Sequence, residues 1–192
     1  MEWTRANAWT QLKSGGIFYP LRASPNWGSV TLADIAHGLA RQYRFGGHLA
    51  DYLVAEHCCH LYDLVPSKLR PLAIMHDNVE GLGLPDLQLP FKETPELQGY
   101  KSLDHRLTEG CLEFFGINLD DYLTFKDFDV KIAVSEAKAM FRDGRAKASE
   151  HWKAYLADHE GLPYNLGLHY WERDEAAKQW LLRARTSFPN MS

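Results

Sequence analysis

Cysteine is scarce in this chain. Only Cys58, Cys59 and Cys111 occur in 192 residues, two of them adjacent, and no C-x-x-C spacing is present. An odd count without paired spacing excludes a disulfide framework and a zinc ribbon, and leaves core packing as the expected role of the thiols. Long apolar runs are lacking too: none approaches the roughly 18 residues that a bilayer-spanning helix needs. Residues 1–16 do not show the basic-then-apolar order of a secretory leader. A cytoplasmic protein with no membrane partner is therefore expected. Nor is there an excess of positive charge. The 21 Lys and Arg are outnumbered by 25 Asp and Glu, for a formal charge of −4. That is the wrong sign for a surface that displaces counterions from a nucleic acid polymer. A small anionic substrate stays compatible, because a local cationic pocket can sit in a mildly acidic protein. Alternating apolar and polar stretches are almost absent, and internal repeats and low-complexity segments are missing.

What is present suits one helical domain over residues 1–192. A 45% hydrophobic content is enough for a sizeable core. Residues 1–30, with Gly15, Gly16, Pro20, Pro25 and Gly28, are expected to wrap the surface. Apolar periodicity then predicts a series of helices. Thr31 caps one that carries Ile35, Leu39 and Tyr43 and ends near Gly46-Gly47. A second covers residues 51–64 and is stopped by Pro66. Ser67 caps a third, which runs through Leu69, Leu72, Ala73 and Met75 to about Glu80. Residues 81–86 read as loop, and Pro90 keeps the chain irregular to Thr94. Further helices are predicted over residues 97–116, 127–143 and 174–185, with loop at 161–167. Trp152, Trp171 and Trp180 read as core. The fold class is all-α.

Nine histidines are many for this length, and two of them fall in ligand-like positions. His57 lies mid-helix in Val54-Ala-Glu-His57. His76 and Asp77 are adjacent near the end of the next helix, and Asp129 opens a later one. Imidazole nitrogens with carboxylate oxygens make a mixed set suited to a divalent ion, and helices presenting ligands inward are a common way for a bundle to hold metal. Adjacent helical residues point about 100° apart, so His76 and Asp77 share an ion only at a helix edge. The apolar run Leu72-Ala-Ile-Met75 sets them at the core boundary, where a buried Asp needs compensating positive charge. His60 shares a helix face with His57, whereas Cys58 and Cys59 are expected to point elsewhere.

The order H…HD…D resembles the HD phosphohydrolase superfamily, over nearly the whole chain. Val54-Ala-Glu-His57 is similar to its first histidine motif. Met75-His76-Asp77-Asn-Val-Glu80, followed by Pro85-Asp86-Leu and Pro90-Phe-Lys92, resembles the family stretch HDxxE…gDi…PlK, and Asp129 with Glu136 looks like the final aspartate motif. Upstream, Phe18-Tyr-Pro, Asp34-Ile-Ala-His37 and Arg44-Phe-Gly-Gly-His48 resemble the branch of bacterial and phage deoxyribonucleoside 5′-monophosphatases and dATP triphosphohydrolases. Tyr170-Trp171 fits the same branch.

The resemblance implies an HD-type helical bundle and a homo-oligomer. It implies a divalent ion (Co2+, Mn2+, Zn2+, Fe2+ or Mg2+) on His57, His76, Asp77 and Asp129. Glu80 is then the general acid or base, and Asp86 positions water or the leaving group. Arg44 clamps phosphate, Phe45 stacks on the base, and His48 and Lys92 add positive charge. The expected activity is release of phosphate from a small nucleotide, a deoxynucleoside 5′-monophosphate. A triphosphohydrolase acting on a dNTP such as dATP is the alternative, and a nucleotide-binding module without turnover is the third reading.

Overall fold

The computed structural model describes residues 4–163 and 165–191, with the backbone alone at residues 89 and 90. Strands β1 (Thr10–Gln11) and β2 (Ile17–Phe18) pair antiparallel, Thr10 opposite Phe18. This ribbon follows the surface but is rooted in the core by Leu12 and Phe18. It leads to α1 (Leu32–Leu39), which opens on a capping box. The Thr31 hydroxyl accepts from Asp34 N–H, and the Asp34 carboxylate accepts from Thr31 N–H. Asp34 also accepts from Ser14 N–H at 2.7 Å and its hydroxyl at 3.0 Å, so the ribbon turn is tied to the helix start.

Helix α1 ends at Leu39, short of Gly46. Tyr43 is already extended, at φ −96° and ψ 131°, and it bridges to Leu53. Val54 N–H donates to Gln42 O at 2.9 Å and Arg44 N–H to Tyr52 O at 2.8 Å. The returning chain therefore takes the backbone groups that further helix would have used. Between these contacts lies a tight turn, Arg44–Gly47, in which Phe45 adopts φ 55° and Gly46 φ 62°.

Helix α2 (Val54–Leu64) stops before Pro66, which itself occupies the capping position of a short turn, Ser67–Leu69, in place of Ser67. What reads as one helix to Glu80 is two. Helix α3 (Arg70–Met75) gives way at Asp77, whose φ −97° and ψ 26° are not helical, before α4 (Asn78–Gly81). A single turn, α5 (Leu89–Lys92), stands where irregular chain is predicted. Helix α6 (Gln98–Phe114) ends before Gly116, which turns the chain at φ 70°. Helix α7 (Tyr122–Arg142) begins five residues before its predicted start. Helix α8 (Glu150–Asp158), unanticipated, is capped by Ser149, whose hydroxyl accepts from Trp152 N–H. The last helix is α9 (Arg173–Ser187).

The fold is all-α apart from the small ribbon. Helix α9 packs across α1, α2 and α3 and buries Trp180 completely, while Trp152 and Trp171 are only half-buried. Helix α7 crosses α2 and α3 from another side. Helix α4 presses on α1 so closely that a Cβ on Gly38 would lie 1.9 Å from Gly81 O. Among the described residues no helix is long and apolar enough to cross a membrane.

Candidate metal centre

Three of these elements converge on one point. Helix α2 supplies His57, the break between α3 and α4 supplies His76 and Asp77, and α7 supplies Asp129. The two Nε2 atoms of His57 and His76 lie 3.2 Å apart. Asp77 Oδ2 is 3.1 Å from His76 Nε2 and 3.8 Å from His57 Nε2. Asp129 Oδ1 is 3.3 Å from His57 Nε2 and 3.7 Å from His76 Nε2. The non-helical backbone at Asp77 lets two adjacent residues reach the same point, which a continuous helix would allow only at its edge. Asp129 does not open its helix. It lies two turns inside α7.

The outer nitrogens of both rings are already engaged. His76 Nδ1 is 2.8 Å from Ala73 O, and since a carbonyl only accepts, Nδ1 carries the hydrogen. His57 Nδ1 lies 2.7 Å from Glu136 Oε1 and donates to that carboxylate. In the neutral rings both Nε2 lone pairs face the centre, the orientation that carboxylate and carbonyl partners impose on metal-ligating histidines. Burial and Arg44 oppose protonation of His57, but Glu136 and Asp129 outweigh them and raise it from 6.5 to about 9. Burial likewise opposes ionisation of Asp77 and Asp129. The adjacent His76 and His57 overcome it and hold both carboxyls below their usual range. Asp77 Oδ2 is buried and accepts no hydrogen bond. Two imidazole nitrogens and two carboxylate oxygens so arranged fit a divalent cation, and buried His, Asp and Cys groups able to bind a metal are a property of this fold.

Around the centre lies a set of buried polar side chains. Glu136 is fully buried, accepts from Tyr52 O–H at 2.8 Å, and has Arg44 Nη2 at 3.7 Å from its second oxygen. Arg44 Nε has no acceptor. Glu80, on α4, is buried with Oε2 unpartnered, and burial followed by the charge of Asp77 pushes its carboxyl well up. Lys92 Nζ stands 3.9 Å from Glu80 Oε1 and 3.7 Å from Asp104 Oδ2 on α6. Gln42 clamps the chain that follows Glu80. Its Nε2 donates to Glu80 O and, at 2.7 Å, to Leu84 O, while its Oε1 accepts from Asp86 N–H at 2.8 Å. Gln42→Ala removes all three bonds and is expected to destabilise the fold by about 1–3 kcal/mol. Urea denaturation reads the loss, and amide exchange should accelerate first over residues 82–86.

The remaining predicted site residues scatter. Asp86 is held through its backbone, and its charge reaches Arg44. Phe45 is half-buried with its ring edge-on to Trp152 at 5.9 Å, so packing already occupies part of it. His48 is exposed at the end of the 44–47 turn. Cys58 does not point elsewhere: its Sγ groups with ligand atoms of His76 and Asp77, all within 4.8 Å of one another. His60 turns away from the centre. It pairs with Glu56 at 3.3 Å and stacks on His169 and Trp171, while Glu56 accepts the backbone N–H groups of His169, Tyr170 and Trp171. Gln42, Tyr52, Glu56 and Asp104 were not singled out by sequence, because each makes its contact with this network at least 12 positions away.

No family model matches the chain. Over 105 residues, 54% of its length, it is 32% identical to the uncharacterized protein YfdR of Escherichia coli (strain K12). The match covers 56% of that protein, so the chain spans about half the length of this curated relative.

Proposed function

We propose that this chain is a metal-dependent phosphohydrolase of the HD type that releases inorganic phosphate from deoxynucleoside 5′-monophosphates. The convergence of His57, His76, Asp77 and Asp129 carries the reading, with imidazole–imidazole and imidazole–carboxylate separations from 3.1 to 3.8 Å. These four would hold the ion. When bound, a divalent ion acidifies water and polarises a phosphoryl oxygen. Glu80, kept protonated by burial, supplies a proton to the departing 5′ oxygen. Arg44 offers its unsatisfied Nε donor to the non-bridging oxygens, as a guanidinium fork suits phosphate. Glu136 holds both Arg44 and His57, so the phosphate clamp and the ligand set share one support.

Charge balance supports a monophosphate. Arg44 faces Glu136, Lys92 faces Glu80 and Asp104, and Lys126 faces Asp129, so each of these cations is already matched by a carboxylate. A triphosphate would bring more negative charge than that lining offsets.

The test is turnover by metal-stripped protein given a panel of deoxynucleoside mono- and triphosphates, with Co2+, Mn2+, Mg2+ or Zn2+ returned singly. Chromatography should show nucleoside and inorganic phosphate from a monophosphate only when metal is present, and none from Asp77→Ala. Release of tripolyphosphate would move the substrate to dNTPs. Metal binding without product from any nucleotide would leave a binding module in place of an enzyme.

A further inference from the structure

We infer that the centre contains a second donor set, Cys58 Sγ with His76 and Asp77, through which it takes a thiophilic ion such as Zn2+, Cd2+ or Co2+. The ligand atoms of these three residues lie within 4.8 Å of one another. Cys58 is wholly buried and is not part of a disulfide. Asp77 Oδ2 is buried and accepts no hydrogen bond. A thiol sulfur and a carboxylate oxygen therefore stand beside one imidazole. The other thiols are a contrast within the same molecule. Cys111 feels nothing but burial, and Cys59 faces Arg183, Asp63 and Glu56 on the far side of α2. Cys58 instead has Asp77, Glu80 and Arg44 as its charged neighbours.

The two sets share His76 and Asp77 and differ in hardness. His57 and Asp129 complete an N/O set for harder ions, whereas Cys58 adds the thiolate that softer ions favour. As the sulfur–metal bond forms, the Sγ–H proton leaves to solvent, since the ligand is the thiolate. The ion's softness thus selects which donors complete its shell beside His76 and Asp77. The inference rests on the metal-binding part of the proposed function and is independent of whether the chain hydrolyses nucleotides.

The experiment titrates the metal-stripped protein with Co2+ alone and records its absorption. A near-ultraviolet thiolate-to-cobalt charge-transfer band is expected, accompanied by visible ligand-field bands. It should vanish in Cys58→Ser, persist in Cys59→Ser and Cys111→Ser, and persist in Asp129→Asn, which lies outside the set. Because Cys58 is a core residue, X-ray absorption on the unaltered Zn2+-loaded protein provides a check free of any variant, with a sulfur neighbour expected at about 2.3 Å. Ligand-field bands without charge transfer, and zinc without a sulfur neighbour, would overturn the role of Cys58 and leave the His/Asp centre standing. Failure to bind any ion would overturn the centre itself.

Discussion

Glu80→Gln is expected to lower kcat on the deoxynucleotide by about 10²–10⁴-fold, the range for loss of a positioned acid or base, with KM and metal content little changed. The substitution keeps the shape of the side chain and removes only its capacity to give up a proton. Stability should hold or rise. Burial and the nearby Asp77 raise the Glu80 carboxyl well above its unfolded value of 4.5 in the folded protein. A carboxyl raised in this way weakens the fold above both values, where folding must bury its charge or bind a proton, and the penalty disappears as pH falls below the unfolded value. An amide never pays it. The pairing of near-wild-type melting with a collapsed kcat separates a proton-transfer role from a packing role. A loss under tenfold in metal-replete enzyme would remove Glu80 from the chemistry and shift attention to Asp86.

The fold class was legible because α2, α6 and α9 carry apolar residues at helical spacing, with Pro66 and Gly116 as stops that need no tertiary partner. The misread boundaries have long-range causes. Helix α1 ends early because Tyr43 pairs with Leu53 and Gln42 reaches residues 80–86, contacts that leave no mark in the local pattern. The break at Asp77 is the most instructive miss. A continuous helix allowed His76 and Asp77 to meet an ion only at its edge, whereas the non-helical Asp77 brings both to the centre. The four ligand candidates were visible because imidazoles and carboxylates beside apolar runs need compensation. Their supports were not. Tyr52, just before α2, and Asp104, within α6, look like ordinary residues until the chain folds them against Glu136 and Lys92. Cys58 packs in the core as expected of the thiols, yet its Sγ comes within 4.8 Å of ligand atoms of His76 and Asp77, a proximity that its place directly after His57 does not announce.

Glu136→Gln should weaken metal binding by about 10–100-fold, the usual cost of removing the partner that orients a ligating histidine. The glutamine oxygen can still accept from Tyr52 or from His57 Nδ1. It can no longer hold the imidazole through charge, nor balance Arg44 at 3.7 Å. Burial favours a neutral Glu136, but His57, Arg44 and Tyr52 together keep it ionised. Removing that anion strands a buried cation, a loss of up to about 3–5 kcal/mol. Metal-free protein supplies a second, independent readout. His57 is raised from 6.5 to about 9 in the fold, so the stability it contributes is fully present below pH 6.5 and is lost as pH climbs through 9. Without the Glu136 charge the raised value should fall back, and urea unfolding should show a flatter decline over the same window. If Glu136→Gln bound metal as tightly as the parent and kept its pH dependence, the orientation of His57 would have to come from Asp129 alone. The shared support of Arg44 and His57 would then have no functional consequence.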